Sequence, residues 1–142
     1  MIVLDTNVVS EVLRPAPEPR VLAWLGEQPA NSVFTTAITQ GEILYGIRLL
    51  ADGQRRRKLW DAAIAIFSDD FAGRVLSFDT EAAAAYAEIG ASPRASGRPI
   101  SQFDATIAAI TRSHGAAWPL ATQRSSRVAA SMSLIHGQIE RA

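Results

Sequence analysis

Ile2-Val3-Leu4-Asp5-Thr6-Asn7-Val8-Val9 is the stretch on which the fold turns. Three apolar residues in a row read as a short buried strand, and Asp5-Thr6-Asn7 reads as the cap of a helix that begins at once. The helix continues from Val8 to Leu13, and Pro15-Ala16-Pro17 ends it. A carboxylate therefore stands at the carboxyl end of the first strand. In open α/β sheets that edge is where ligands bind. The plain alternative for Asp5 is an N-cap, because Asp and Asn favour that position.

Outward from this stretch the same alternation repeats. Glu18 to Glu27 carries Val21, Leu22, Trp24 and Leu25 at helical spacing, and Ser32 to Thr35 is a second short strand. Thr36 to Leu50 is an amphipathic helix with Ile38, Ile43, Leu44, Ile47 and Leu50 on neighbouring faces. Asp52-Gly53 is a turn, Gln54 to Phe67 a helix, and Arg74 to Ser77 a third strand. Asp79 caps an alanine-rich helix to about Ala95, with Pro93 placed to break it early. Gly97-Arg98-Pro99 is a loop. Ser101 caps a last helix to about Ser113, and Gly115 stops it. Strands alternating with helices predict an α/β fold: a three-layer sandwich with a short parallel central sheet flanked by helices.

Composition narrows the chemistry. The 142 residues are 48% apolar and 20% charged, as expected of one soluble domain spanning 1–142. There is no cysteine, and the only histidines are His114 and His136, so a thiolate or multi-histidine metal site is excluded. Any metal must be held by oxygen, which points to Mg²⁺ or Mn²⁺. The apolar start is too short for a signal peptide, and no run approaches the roughly 20 residues of a membrane span; the expected location is the cytoplasm. Fourteen basic and fourteen acidic residues cancel. Composition alone gives no broad affinity for nucleic acid.

Two further acids stand at comparable junctions. Glu42 lies one turn into the helix after the second strand, and Asp104 in the first turn of the helix begun by Ser101. Each has a plainer reading, a solvated helix face for Glu42 and the helix dipole for Asp104. Asp104, however, is flanked by Phe103, Ala105, Ile107 and Ala108, an apolar surrounding. Carboxylates that converge repel one another and lose acidity, and a bound cation relieves this.

These residues together resemble the PIN-domain family of the VapC/FitB type, toxin ribonucleases of toxin–antitoxin systems. The likeness rests on Val3-Leu4-Asp5-Thr6-Asn7, on Thr39-Gln40-Gly41-Glu42-Ile43-Leu44-Tyr45-Gly46, on Gly97-Arg98-Pro99-Ile100 and on Asp104-Ala105-Thr106-Ile107-Ala108-Ala109, in order over residues 1 to 117. It implies a metal-dependent endoribonuclease acting on tRNA or other structured RNA, a small DNA-binding antitoxin as partner, and a homodimer. Asp5, Glu42 and Asp104 take the metal-binding and catalytic positions, with Mg²⁺ or Mn²⁺ as the cofactor and Thr6 and Asn7 supporting Asp5. The basic run Arg55-Arg56-Arg57-Lys58 is a candidate RNA contact, with a solvated helix face as the plainer reading. A receiver-like phosphoacceptor domain shares the outline but needs a late lysine, and Lys58 is the only lysine.

The carboxyl end departs from the family. Its usual pattern is similar to L-A-T-R-N-x-x-D-F, which brings a fourth acid, and then a Pro-Trp ending. Here Leu120-Ala121-Thr122 runs into Gln123-Arg124-Ser125-Ser126-Arg127, and no acid occurs from Ala105 to Ile139. The genetic code offers a reason. If one base was lost near Ala117, each later codon joins the last two bases of an ancestral codon to the first of the next. Trp118 to Thr122 then restore L-A-T-R-N, Ser126-Arg127 fit F-E, and Ile135-His136-Gly137 fit D-P-W or N-P-W. Trp118 and Met132 each have a single codon, and both comply. Residues 118–142 are thus expected to be an atypical tail set by a shifted reading frame; the alternative is a divergent natural tail. The first functional expectation is an active ribonuclease using three acids. The second is a degenerate toxin that binds partner chains but cuts poorly, which the missing acid favours.

Overall fold

The computed structural model describes residues 1–91 and 100–116. Among them the order is β1 (Ile2–Val3), α1 (Thr6–Val12), α2 (Pro19–Gly26), β2 (Val33–Thr36), α3 (Ala37–Arg48), α4 (Gln54–Ala65), β3 (Val75–Leu76), α5 (Thr80–Ala91) and α6 (Gln102–Ser113). The strands form a parallel sheet in the order β1-β2-β3. Ile2 pairs with Val33 and Thr35 with Val75. Parallel neighbours need helical crossovers, which cover the sheet and explain why its strands are apolar except for Thr35 and Thr36 at the end of β2. This is the flanked parallel sheet that the alternating pattern predicts.

The core gathers Leu4, Val8, Val9, Val33, Ile43, Ile47, Ala63, Phe67 and Phe71. α3 buries Thr39, Ile43 and Ile47, one stripe at a spacing of four. α6 buries Ala105, Ile107, Ala109, Ile110 and Thr111, packing along α5 and touching α3. α5 turns Ala82 and Ala85 inward, and small side chains let the two helices approach closely. α2 differs from its sequence pattern: Val21, Trp24 and Leu25 lie half-buried against the core while Leu22 is exposed. A single helical turn cannot point four neighbouring apolar residues the same way. α4 also ends differently, passing into a π-helical turn at Ile66–Asp70.

Caps fall where local chemistry asks for them. The Ala82 amide donates to Asp79 Oδ1 at 2.9 Å and the Asp104 amide to Ser101 Oγ at 3.0 Å. Gly115 adopts φ +61°. Its amide donates to the Arg112 carbonyl and the Ala116 amide to the Thr111 carbonyl, each at 3.0 Å, closing α6 with a left-handed glycine. The expected end of α5 near Ala95, the Gly97-Arg98-Pro99 loop and the whole frame-shifted tail lie outside the described residues. Among the described residues no helix is long and apolar enough to cross a membrane.

Candidate active site

Two crossovers leave the sheet on the same edge. β1 delivers Asp5 just beyond its carboxyl end, and β2 ends on Thr36, which caps the helix carrying Glu42. Because β1 and β2 are parallel and paired, both acids come to the carboxyl edge.

Asp5 is 4% exposed. Its Oδ1 accepts the Val8 amide at 3.0 Å, so it is the N-cap of α1 and also a buried carboxylate facing the edge. The two readings of this residue are compatible. Burial pushes its carboxyl above the ordinary range; the Val8 and Asn7 amides oppose that, and the negative charge of Asp104 adds to it. Glu42 is half-buried. Its carboxyl is also raised, first by desolvation and further by the charges of Asp104 and Asp5, against the hydrogen bond from Thr6. The expected loss of acidity among converging acids is therefore present, although withdrawal from water is its larger cause.

Asp104 differs from the other two. It is exposed in the first turn of α6, where Ser101 Oγ donates to its Oδ2 at 2.7 Å. Its charge is felt at both Asp5 and Glu42. Among the described residues, no three acid or histidine side chains stand at the spacing of shared metal ligands. The three acids thus share one electrostatic field without forming a closed cage.

The donor set still fits a hard cation. It is made of oxygen alone, carboxylates joined by the Thr6 hydroxyl. Mg²⁺ is held by one or two carboxylates and keeps several waters, so a closed cage is not required. The lowered acidities of Asp5 and Glu42 are what a cation would reverse.

Thr6 is placed otherwise than the sequence suggests. Its hydroxyl donates to Glu42 Oε2, and also approaches Thr39 Oγ1 at 3.4 Å, so it steadies Glu42 rather than Asp5. Asn7 meets Asp5 through its backbone amide. Beneath them lies a threonine layer that sequence reasoning did not single out. The Thr36 hydroxyl donates to Thr39 Oγ1 at 3.2 Å and accepts the Thr39 amide at 3.1 Å. Thr35 Oγ1 donates to the Leu4 carbonyl at 3.1 Å, tying β2 to the end of β1. Thr35, Thr36 and Thr39 are fully buried. The available signal was the polar run Thr35-Thr36 closing an otherwise apolar strand. The basic run lies on α4: Arg55, Arg57 and Lys58 are exposed, and Arg56 pairs with Asp52 at 2.6 Å.

Comparison with known proteins agrees with this architecture. The PIN domain family matches residues 2–123. Toxin FitB of Neisseria gonorrhoeae is 41% identical over 114 residues, 80% of this chain and 82% of that protein. VapC ribonuclease Y4jK of Sinorhizobium fredii is 38% identical over 115 residues, 81% of this chain and 82% of the relative. The crystal structure of FitAcB from Neisseria gonorrhoeae superposes with a TM-score of 0.76 at 40% identity, covering 83% of this chain and 85% of the other. A structure of FitAB bound to the IR36 DNA fragment reaches a TM-score of 0.77 at 39% identity, covering 87% of each chain. With most of its length matched and its parallel sheet reproduced, this chain belongs to the PIN-domain family.

Proposed function

We propose that this chain is the metal-dependent endoribonuclease toxin of a toxin–antitoxin pair, acting in the cytoplasm on tRNA or other structured RNA. The observation that carries the reading is a pair of acids, Asp5 and Glu42, withdrawn from water at the carboxyl edge of the sheet within the field of Asp104. Such an arrangement costs stability unless a cation offsets it. A bound Mg²⁺ or Mn²⁺ would supply a water of lowered pKa and positive charge against the phosphodiester. Asp5 and Glu42 hold the ion, Thr6 fixes the Glu42 carboxylate, and Asp104 completes the negative field from α6. The names of the relatives, a FitB toxin and a VapC ribonuclease, support the same reading. The proposed partner is a small DNA-binding antitoxin, in line with the FitAB assembly on DNA; the proposed assembly is a homodimer. RNA cleavage measured with Mg²⁺, with Mn²⁺ and with excess chelator tests the mechanism, and undiminished cleavage in chelator would falsify it.

A second reading, an impaired toxin that still binds its partner, is favoured by one observation. No acid follows Asp104 until Glu140, and the family match ends at residue 123. We propose that residues 118–142 follow a shifted frame. Arg124 and Arg127 then stand where the family resemblance places polar and acidic groups, and a guanidinium has no lone pair to offer a cation. The test compares cleavage by the chain as written with cleavage by a chain whose missing base is restored. Higher turnover and tighter Mn²⁺ binding in the restored chain are expected; equal activity would show the tail to be a natural variant.

A further inference from the structure

We infer that the recess between α3 and α4, lined by Arg48, Arg56, Arg57, Trp60 and Asp61, is a subsite that grips a phosphate of the RNA strand outside the acidic centre. The inference deepens the ribonuclease reading and rests on it for the nature of the ligand.

Charge distribution is the first argument. The whole chain is neutral, with fourteen basic and fourteen acidic residues. Between Arg48 and Asp61, however, stand Arg48, Arg55, Arg56, Arg57 and Lys58 against only Asp52 and Asp61. A neutral protein that must hold a polyanion next to its own acidic centre needs its positive charge concentrated nearby.

Shape and preorganisation are the second. The recess encloses about 180 Å³. The Arg48 guanidinium lies over the Trp60 ring, 4.2 Å from its centroid. Stacking holds that planar fork in one orientation and leaves its edge N–H groups for a ligand. Arg56 is anchored on the other side by Asp52 Oδ1 at 2.6 Å and the Leu50 carbonyl at 3.4 Å. Arg57 is exposed and lines the same hollow. Three arginines line one hollow, two of them already ordered, and the guanidinium fork suits the bidentate geometry of a phosphate. Asp61 is the single carboxylate in the lining.

Position is the third. Arg48 is six residues beyond Glu42 on α3, about 9 Å along the helix axis. Six residues also leave the helix about a third of a turn short of two whole turns, so an RNA strand that touches both places must wrap partly around α3.

The test separates binding from cleavage. A fluorescein-labelled RNA stem–loop is titrated with the full chain in chelator, across a series of salt concentrations. Arg48→Gln and Arg57→Gln are made singly and together; both side chains are exposed, and thermal melts confirm that the fold is kept. The double variant should bind the RNA roughly tenfold or more weakly, with a salt slope shallower by about one or more. Unchanged RNA affinity and slope overturn the inference. So does a loss of binding confined to polyglutamate, which would mark the recess as a seat for an acidic protein segment. If no RNA is cut in any metal, the reading of the acidic centre fails by itself, because binding in chelator is measured independently.

Discussion

Replacing Asp5 by Asn should stabilise the protein without metal and remove its response to metal. Asp5 is 4% exposed, and its carboxyl is raised by burial first and by Asp104 further. The folded chain therefore holds this proton more tightly than the unfolded chain does. Stability from this group is fully present below the unfolded value, about pH 4, and is lost as pH rises through the folded value. Above the folded value the wild type carries the penalty of a desolvated charge. The Asp5→Asn variant carries none, yet its side chain still offers an oxygen to the Val8 amide, bonded to Asp5 at 3.0 Å in the wild type. Asp5→Ala loses that cap as well and should fall about 1 kcal/mol below Asp5→Asn, roughly 3 °C in Tm for a chain of this size. Metal works in the opposite sense. At a hundredfold excess over Kd it adds about 2.7 kcal/mol to the wild type and little to either variant. The assay is thermal melting of the three proteins, in chelator and in Mn²⁺, from mildly acidic to mildly alkaline pH. In chelator the Asn variant should melt above the wild type at neutral pH, with the gap closing on acidification. An Asn variant that melts below the wild type in chelator, or keeps the full Mn²⁺ shift, would refute the reasoning.

Three other outcomes follow from the same geometry. Thr6→Val removes the hydroxyl that donates to Glu42; the Glu42 carboxyl then rises further, and the acidic limb of the pH–cleavage profile should move to higher pH, whereas an unmoved limb would separate Thr6 from the chemistry. Ile110→Ala empties a fully buried site on α6 and should cost about 2–5 kcal/mol in urea unfolding, with a loss under about 1 kcal/mol placing α6 outside the cooperative core. Glu11 is buried and accepts the Glu18 amide at 2.8 Å and Arg14 Nη1 at 3.1 Å across the proline turn; Glu11→Ala should lower stability by about 1.5–3 kcal/mol and speed proteolysis between α1 and α2, and an unaffected cleavage rate would show that the turn holds without it.

The strand at Ile2-Val3, the helix after Asp5, the inward positions Ile43 and Ile47, and the caps Asp79, Ser101 and Gly115 were legible from sequence, because each is decided by neighbours within one or two turns. Scarce histidine and absent cysteine leave oxygen to hold any metal, but Asp5, Glu42 and Asp104 are singled out among fourteen acids by their junction positions and by the family resemblance. The order β1-β2-β3 and the register of Ile2 on Val33 were not legible. They depend on hydrogen bonds between residues far apart in the chain, which leave no local mark. The acids also divide only in three dimensions. Asp5 is buried, Glu42 is half-buried and tied to Thr6, and Asp104 is exposed and held by Ser101. Spacing names the three residues, but the withdrawal from water that raises two of them is set by what packs over each. The stacking of Arg48 on Trp60 has the same origin: it joins α3 to α4 across a turn, and a contact between two helices exists only once both have docked against the core.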